Sequence, residues 1–301
     1  MRSPTPVLDS AYVECIQEFF AELPDGQATK DCYFYILLQV HPYLNSTIFK
    51  ACYQTEETGG CGQFISFVQS NSRVLYDTDD CIKTFHLLKG CQERNYLVPE
   101  DFHALLQTFI QDNHQVEFFR QEQYRSLTHF YISSMTASMF YSVGAWRTKR
   151  LYWRQFLKLE LWKLLEQLDM NVDNALIDHV SYDQFYVFYV KFYQLDDNQD
   201  NLLSKAEFLE YDDGRLSRKM VDKIFLSNVP GGEKMTFWDW VVFLLADIDK
   251  TSSAAMEYWF PVLDTDNDGV ISVRELRELW NDSLVFLITG KFTPYMLLYL
   301  I

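Results

Sequence analysis

The sequence is poor in basic residues, has no long unbroken apolar run, and lacks the short signatures of common catalytic sites. Its 26 lysines and arginines stand against 42 aspartates and glutamates, a formal charge of −16. Such a surface repels phosphate backbones, so nucleic acid is not an expected partner. The six cysteines, at positions 15, 32, 52, 61, 81 and 91, form no CxxC pair. The start, "MRSPTPVLDSAYVEC", carries no apolar run of the secretory type, and reduced, intracellular thiols are the expectation. The six histidines show no zinc spacing such as HExxH, and neither GxSxG nor a glycine-rich phosphate loop occurs. No catalytic site is expected. The apolar end, "SLVFLITGKFTPYMLLYLI", is broken by Gly290, Lys291 and Pro294 into runs shorter than the roughly 20 residues a membrane span needs. No membrane span is expected there. A segment docked on a core, a splice form or a truncated end are the readings left open.

What is present points to helices. At 301 residues the chain can bury roughly three quarters of its unfolded surface, enough for a sizeable core or two domains. Aromatics make up 17% of it, which suits aromatic helix seams or apolar surfaces kept for a partner. "QFLKLELWKLLEQL" puts Leu157, Leu161, Leu164, Leu165 and Leu168 on one face with charges interleaved. "SYDQFYVFYVKFYQL" opens with Ser181 and Gln184 at capping-box spacing. No βαβ rhythm and no regular set of alternating strands occurs, so the fold class is mostly α.

Two stretches carry recognisable chemistry. Calcium takes six to eight oxygens, and a twelve-residue loop between helices supplies them at fixed positions. "DTDNDGVISVRE" offers Asp264, Asp266, Asp268, the carbonyl of Val270, Ser272 (often through water) and a bidentate Glu275. Gly269 stands at position 6, where the backbone turns with positive φ, and Ile271 at position 8. "DDNQDNLLSKAE" offers Asp196, Asn198, Asp200, the carbonyl of Leu202, Ser204 and Glu207. It has one acidic ligand fewer, and Asn201 replaces the glycine at a strain of roughly 1 kcal/mol. Two calcium sites are expected, the one at 264–275 the tighter.

Laid along the chain, the same twelve-residue frame fits three further stretches without their ligands. Residues 228–239 place Met235 at position 8 and Asp239 at 12, but Asn228, Pro230 and Gly232 at the ligand positions. Residues 90–101 place Leu97 at 8 and Asp101 at 12, with Gly90, Gln92 and Arg94 as would-be ligands. Residues 144–155 are a third, poorer fit. Such units pair through their position-8 residues. Pairing Leu203 with Met235 is favoured, a live loop with a dead one, and pairing Met235 with Ile271 is the alternative.

The sequences between the loops are the more specific signal. "FHLLKGCQERNYLVPEDFHALLQ", "FYVFYVKFYQLD", "LSRKMVDKIF", "MTFWDWVVFLLADIDK" and "AAMEYWFPVLDTDNDGV" resemble, in order, the B-double-prime regulatory subunits of protein phosphatase 2A. The resemblance runs from about residue 15 to residue 280. It implies tandem EF-hand units, two live and several degenerate, after an N-terminal helical region. It further implies a non-catalytic subunit that docks on a HEAT-repeat scaffold subunit, contacts the catalytic subunit and directs it to phosphoprotein substrates, with calcium at the two loops modulating assembly. The metal ligands it implies are the twelve positions named above. A cytoplasmic location, also open to nucleus and centrosome, goes with it. Departures are a short N-terminal stub, a shorter region near "TEETGGCGQFISF", and an apolar end after Trp280 where the family continues into another degenerate loop.

The expected organisation is a helical region with a degenerate unit over 1–130, a helical region leading into the first live loop over 131–215, and the remaining two hands with the apolar tail over 216–301. Three other functional readings stay open at this stage. They are a free-standing calcium sensor or buffer, an enzyme using calcium units as struts, and a centrosome- or microtubule-associated member of the same family.

Overall fold

A computed structural model of the chain describes residues 10–21, 27–29, 58–75, 80–90, 93–112, 124–161, 181–249 and 251–279, with isolated positions 23, 119 and 121. Leu164, Leu165 and Leu168 of the leucine face, and the apolar end from Ser283, lie outside the described residues. The fold is mostly helical. Its early elements are α1 (Ser10–Ala21), β1 (Gln27–Thr29), β2 (Thr58–Gly60), α2 (Cys61–Leu75), α3 (Asp80–Lys89), β3 (Tyr96–Leu97), α4 (His103–Asp112) and α5 (Arg125–Ser142). Then come β4 (Leu151–Tyr152), α6 (Trp153–Leu159), α7 (Tyr182–Leu195), β5 (Leu202–Ser204) and α8 (Lys205–Phe208). The last are α9 (Arg218–Asn228), β6 (Lys234–Thr236), α10 (Phe237–Ile248) and α11 (Ser253–Leu263), followed by a helix over 273–279. Among the described residues, no helix is long and apolar enough to cross a membrane.

The chain divides into two units. One comprises residues 1–128 and 150–178, the other 129–149 and 179–301. The strands form three short antiparallel pairs, each within one unit. In the first unit β1 pairs with β2, Ala28 opposite Gly59, and β3 pairs with β4, Leu97 opposite Leu151. In the second, β5 pairs with β6, Leu203 opposite Met235. This is the favoured pairing of the live loop with the dead one, and it crosses position 215/216. The frames at 90–101 and 144–155 also turn out to be each other's partners. Leu97, Leu151, Leu203 and Met235 are fully buried, so each ladder is a plug in a helical core.

Local chemistry starts the helices where they start. Ser181, Ser217, Thr236 and Ser252 sit in extended backbone, and each side-chain oxygen accepts the amide three residues on. Helix α10 is buried from Phe237 to Leu244, apolar almost all round, and forms the centre of the second unit. Phe208 and Phe243 meet edge-on at 4.9 Å, and Tyr211 and Trp240 at 5.3 Å. The indoles are anchored as well as buried. Trp240 Nε1 donates to the Phe188 carbonyl (2.9 Å) and Trp259 Nε1 to the Ala246 carbonyl (2.7 Å), tying α7 and α11 to α10. In the first unit Phe85 packs edge-on against Phe156 (5.2 Å) and Trp153 (5.3 Å). Cys61 is a half-buried free thiol, and Cys81 is buried.

Candidate functional site

One backbone device recurs through the fold. At position 9 of each frame the amide donates to the side chain at position 12. The pairs are Val98 to Asp101 (2.8 Å), Tyr152 to Gln155 (3.1 Å) and Ser204 to Glu207 (2.8 Å). Thr236 to Asp239 (3.0 Å) and Ser272 to Glu275 (2.7 Å) repeat it. A sixth case was not read from the sequence: the amide of Gly60 donates to Gln63 Oε1 (3.2 Å), with Gly59 at position 8 in the ladder. The only signal for it was Gln63 followed by an aromatic, Phe64, which is fully buried. The bond caps the helix after each loop and needs no metal. Hands that have lost their ligands therefore keep their shape.

The two acidic loops share one wiring. In the second, Asp264 Oδ1 accepts the Asp268 amide (3.1 Å), and Asp264 Oδ2 the Gly269 amide (2.9 Å). Asp266 Oδ1 also accepts the Asp268 amide (3.2 Å), and Asp268 Oδ1 the Val270 amide (2.8 Å). In the first, Asp196 accepts the amides of Asp200 (3.2 Å) and Asn201 (2.9 Å). Asn198 Oδ1 accepts the Asp200 amide (2.9 Å), and Asp200 Oδ1 the Leu202 amide (2.9 Å). Position 6 is left-handed in both, at φ 62° for Asn201 and 83° for Gly269, and so is position 4, at Gln199 and Asn267. Asn201 and Asn267 are of the residue type that best tolerates that region after glycine.

Carboxylate oxygens of Asp264, Asp266 and Asp268 converge within 4.8 Å of one another. Asp264 and Glu275 are almost fully buried, and Asp196 is too in the other loop. Glu275 Oε1 reaches back across its loop to the amides of Thr265 (2.5 Å) and Asp266 (3.3 Å). Donors from the Ser272 amide and hydroxyl, outweighing burial and joined by those two amides, hold its carboxyl down at about 2. Glu207 Oε1 accepts from Asn198 Nδ2 (2.9 Å) in the corresponding place. Burial pushes the Glu207 carboxyl up, but bonds from Ser204 and Asn198 leave it lowered overall. The donor set is all oxygen, acidic and mutually close, which suits a hard divalent cation such as calcium. Among the described residues the structure gathers Asp264, Asp266 and Asp268 into one carboxylate cluster, with Glu275 tied to Ser272 in the same loop; in the other loop Glu207 is tied to Ser204 and Asn198, and Asp196 to the amide of Asp200. Val270 and Leu202 lie in their carbonyl positions between them.

Each loop also meets a different lysine: in the second, Lys223 Nζ donates to the Thr265 carbonyl (2.7 Å). Lys234, on β6 of the paired dead hand, binds the Asp200 carboxylate. That bond draws the Asp200 carboxyl below its usual range and raises the Lys234 ammonium above its own. Among the described residues Ile271, the position-8 residue of the second loop, is half-buried and in no ladder.

Comparison with known proteins matches the chain to two family descriptions, an EF-hand domain over residues 79–171 and an EF hand over residues 256–280. The first falls on the ligand-poor pair built around Leu97 and Leu151. The human B'' beta regulatory subunit of serine/threonine-protein phosphatase 2A is 30% identical over 90% of this chain and 48% of its own length. A probable B''epsilon regulatory subunit of the same phosphatase from Arabidopsis thaliana is 31% identical over 73% of this chain and 42% of its own length. The chain thus spans about half or less of these relatives. Among solved structures, a chain of a PP2A PR70 holoenzyme superposes with a TM-score of 0.62 at 29% identity, over 72% of this chain and 81% of that one.

Proposed function

The chain belongs to the B-double-prime family of protein phosphatase 2A regulatory subunits, and from that membership we propose that it is a calcium-responsive, non-catalytic subunit of such a phosphatase. In this reading it docks on the scaffold subunit and directs the catalytic subunit to phosphoprotein substrates. The observation that carries the reading is breadth. The likeness to the human B'' beta protein extends over 90% of the chain, including the ligand-poor hands, where a shared calcium motif would not explain it.

Calcium would be held by Asp264, Asp266, Asp268, Val270, Ser272 and Glu275, and by Asp196, Asn198, Asp200, Leu202, Ser204 and Glu207. When bound it supplies charge cancellation and a fixed angle between the helices flanking each loop. Lys234 at Asp200 supports an order of affinity, with the 264–275 loop the tighter, because calcium must displace a resident cation from the other loop. Glu207 and Glu275 already hold the position-9 amides, so each loop is organised before any ion enters.

The test is binding of the purified chain to the scaffold subunit, with calcium and with chelator. Calcium-strengthened binding is the expected result. Absence of binding in both conditions would overturn the reading and leave a free-standing calcium sensor.

A further inference from the structure

The hand at 264–275 differs from the other frames among the described residues in how its apolar face is covered. The residue after position 12 is fully buried in each of the others, at Phe64, Phe102, Phe156, Phe208 and Trp240. Its counterpart here, Leu276, is only half-buried. Leu97, Leu151, Leu203 and Met235, at position 8, are fully buried in ladders, whereas Ile271 is half-buried and, among the described residues, in none. Four residues before the loop the contrast repeats. Phe192 is 2% exposed in the live hand at 196–207, and Phe260 is 40% exposed here.

These three positions are the ones that a partner hand covers. In the 196–207 hand Leu203 lies opposite Met235 of the dead hand. Phe192 meets Phe237 of the same dead hand edge-on at 5.2 Å. Phe208 meets Phe225 at 5.5 Å and Phe243 at 4.9 Å, from the two helices that flank the dead loop. The hand at 264–275 has its own cap, since Ser272 and Glu275 hold each other as Ser204 and Glu207 do. What it lacks among the described residues is the cover, and apolar side chains left open to water favour burial against another apolar segment.

The chain that follows supplies a fitting occupant. The described residues end at Leu279 in the exiting helix, and the apolar segment 283–301 lies outside them. Only residues 280–282 separate the two, a tether that keeps the local concentration of the segment in roughly the millimolar range. The segment has one charged side chain, Lys291, and it follows a loop with four acids. Residues 284–289, "LVFLIT", mix aliphatic, β-branched and aromatic side chains of the kind that suits a strand beside Ile271. A second copy of the chain fits less well, because two bodies of formal charge −16 repel each other. We propose that residues 283–301 fold back over the Phe260, Ile271 and Leu276 face of their own chain, as the dead hand at 228–239 covers the first live hand.

The test is photocrosslinking in the full chain, with Phe260 replaced by its benzophenone analogue. Unlabelled and nitrogen-15-labelled chains are mixed and irradiated in chelator, so the outcome does not depend on whether the loop takes calcium. Mass spectrometry then identifies the linked peptides. A link to residues 283–301 within one chain is the expected result. It should fall about fivefold or more in the double variant Val285→Asp/Ile288→Asp, because a carboxylate is costly to bury against an apolar face. A second measurement keeps the native Phe260: the Ile271 δ1 methyl resonance of the full chain should shift in the same double variant. Links between labelled and unlabelled chains, links that miss 283–301, or an Ile271 resonance unmoved by the two aspartates overturn the proposal.

Discussion

Leu203 and Met235 lie opposite each other in a three-residue antiparallel ladder, and neither has any exposed surface. The acidic loop at 196–207 therefore shares its closing strand and its core with a hand that lacks its acidic residues. Met235→Ala should destabilise the second unit by about 2–5 kcal/mol. It should also weaken calcium at the first loop, although Met235 is no ligand. Urea melts with chelator, followed by calcium titration, check both.

Lys234 binds the carboxylate of Asp200, one of the proposed calcium ligands. Lys234→Met should raise affinity at the 196–207 loop by roughly two- to five-fold, the scale of an exposed ion pair. The 264–275 loop should be unaffected. Titration calorimetry that resolves the two sites reads the difference.

Glu207 and Glu275 stand at position 12 of their loops, where the bidentate ligand belongs. Glu275→Gln should remove the tighter calcium site and Glu207→Gln the weaker one, each leaving one ion per chain. Unchanged stoichiometry in both variants would contradict the ligand assignment.

The depressed Glu275 carboxyl has a pH consequence in the metal-free protein. Its folded value, about 2, lies below the ordinary glutamate value near about 4.3. The stability it contributes is thus present above that ordinary value and is lost as pH falls through about 2. Acid unfolding followed by circular dichroism in chelator should show a shallower loss over this window in Glu275→Gln than in the unaltered chain.

Legibility differed by element. The shape of both acidic loops could be read residue by residue, because their acidic side chains, their position-6 turn and their closing glutamate lie within twelve consecutive positions. The ligand-poor frames at 90–101, 144–155 and 228–239 were visible through one apolar residue and the side chain four places on, and the structure places all three in ladders. The frame ending at Gln63 was not visible. Two of its three ladder residues, Gly59 and Gly60, are glycines, which carry no side chain to mark a buried position, and the ladder with the Gly60–Gln63 bond reveals it. The likeness to a phosphatase subunit rested on aromatic phrases between the loops, and those phrases prove to be the core itself, as Trp240, Phe243 and Trp259 show.

The sequence by itself determined the two acidic twelve-residue frames and the helical fold class, because both are encoded in near neighbours along the chain. Only the tertiary structure decided that Leu97 meets Leu151, that Leu203 meets Met235, and that Lys234 sits on Asp200. It alone placed Trp146, Lys149 and Asp239 around one cleft. These are contacts between residues remote in the chain, selected by which apolar faces must be buried together, and no local pattern records that choice.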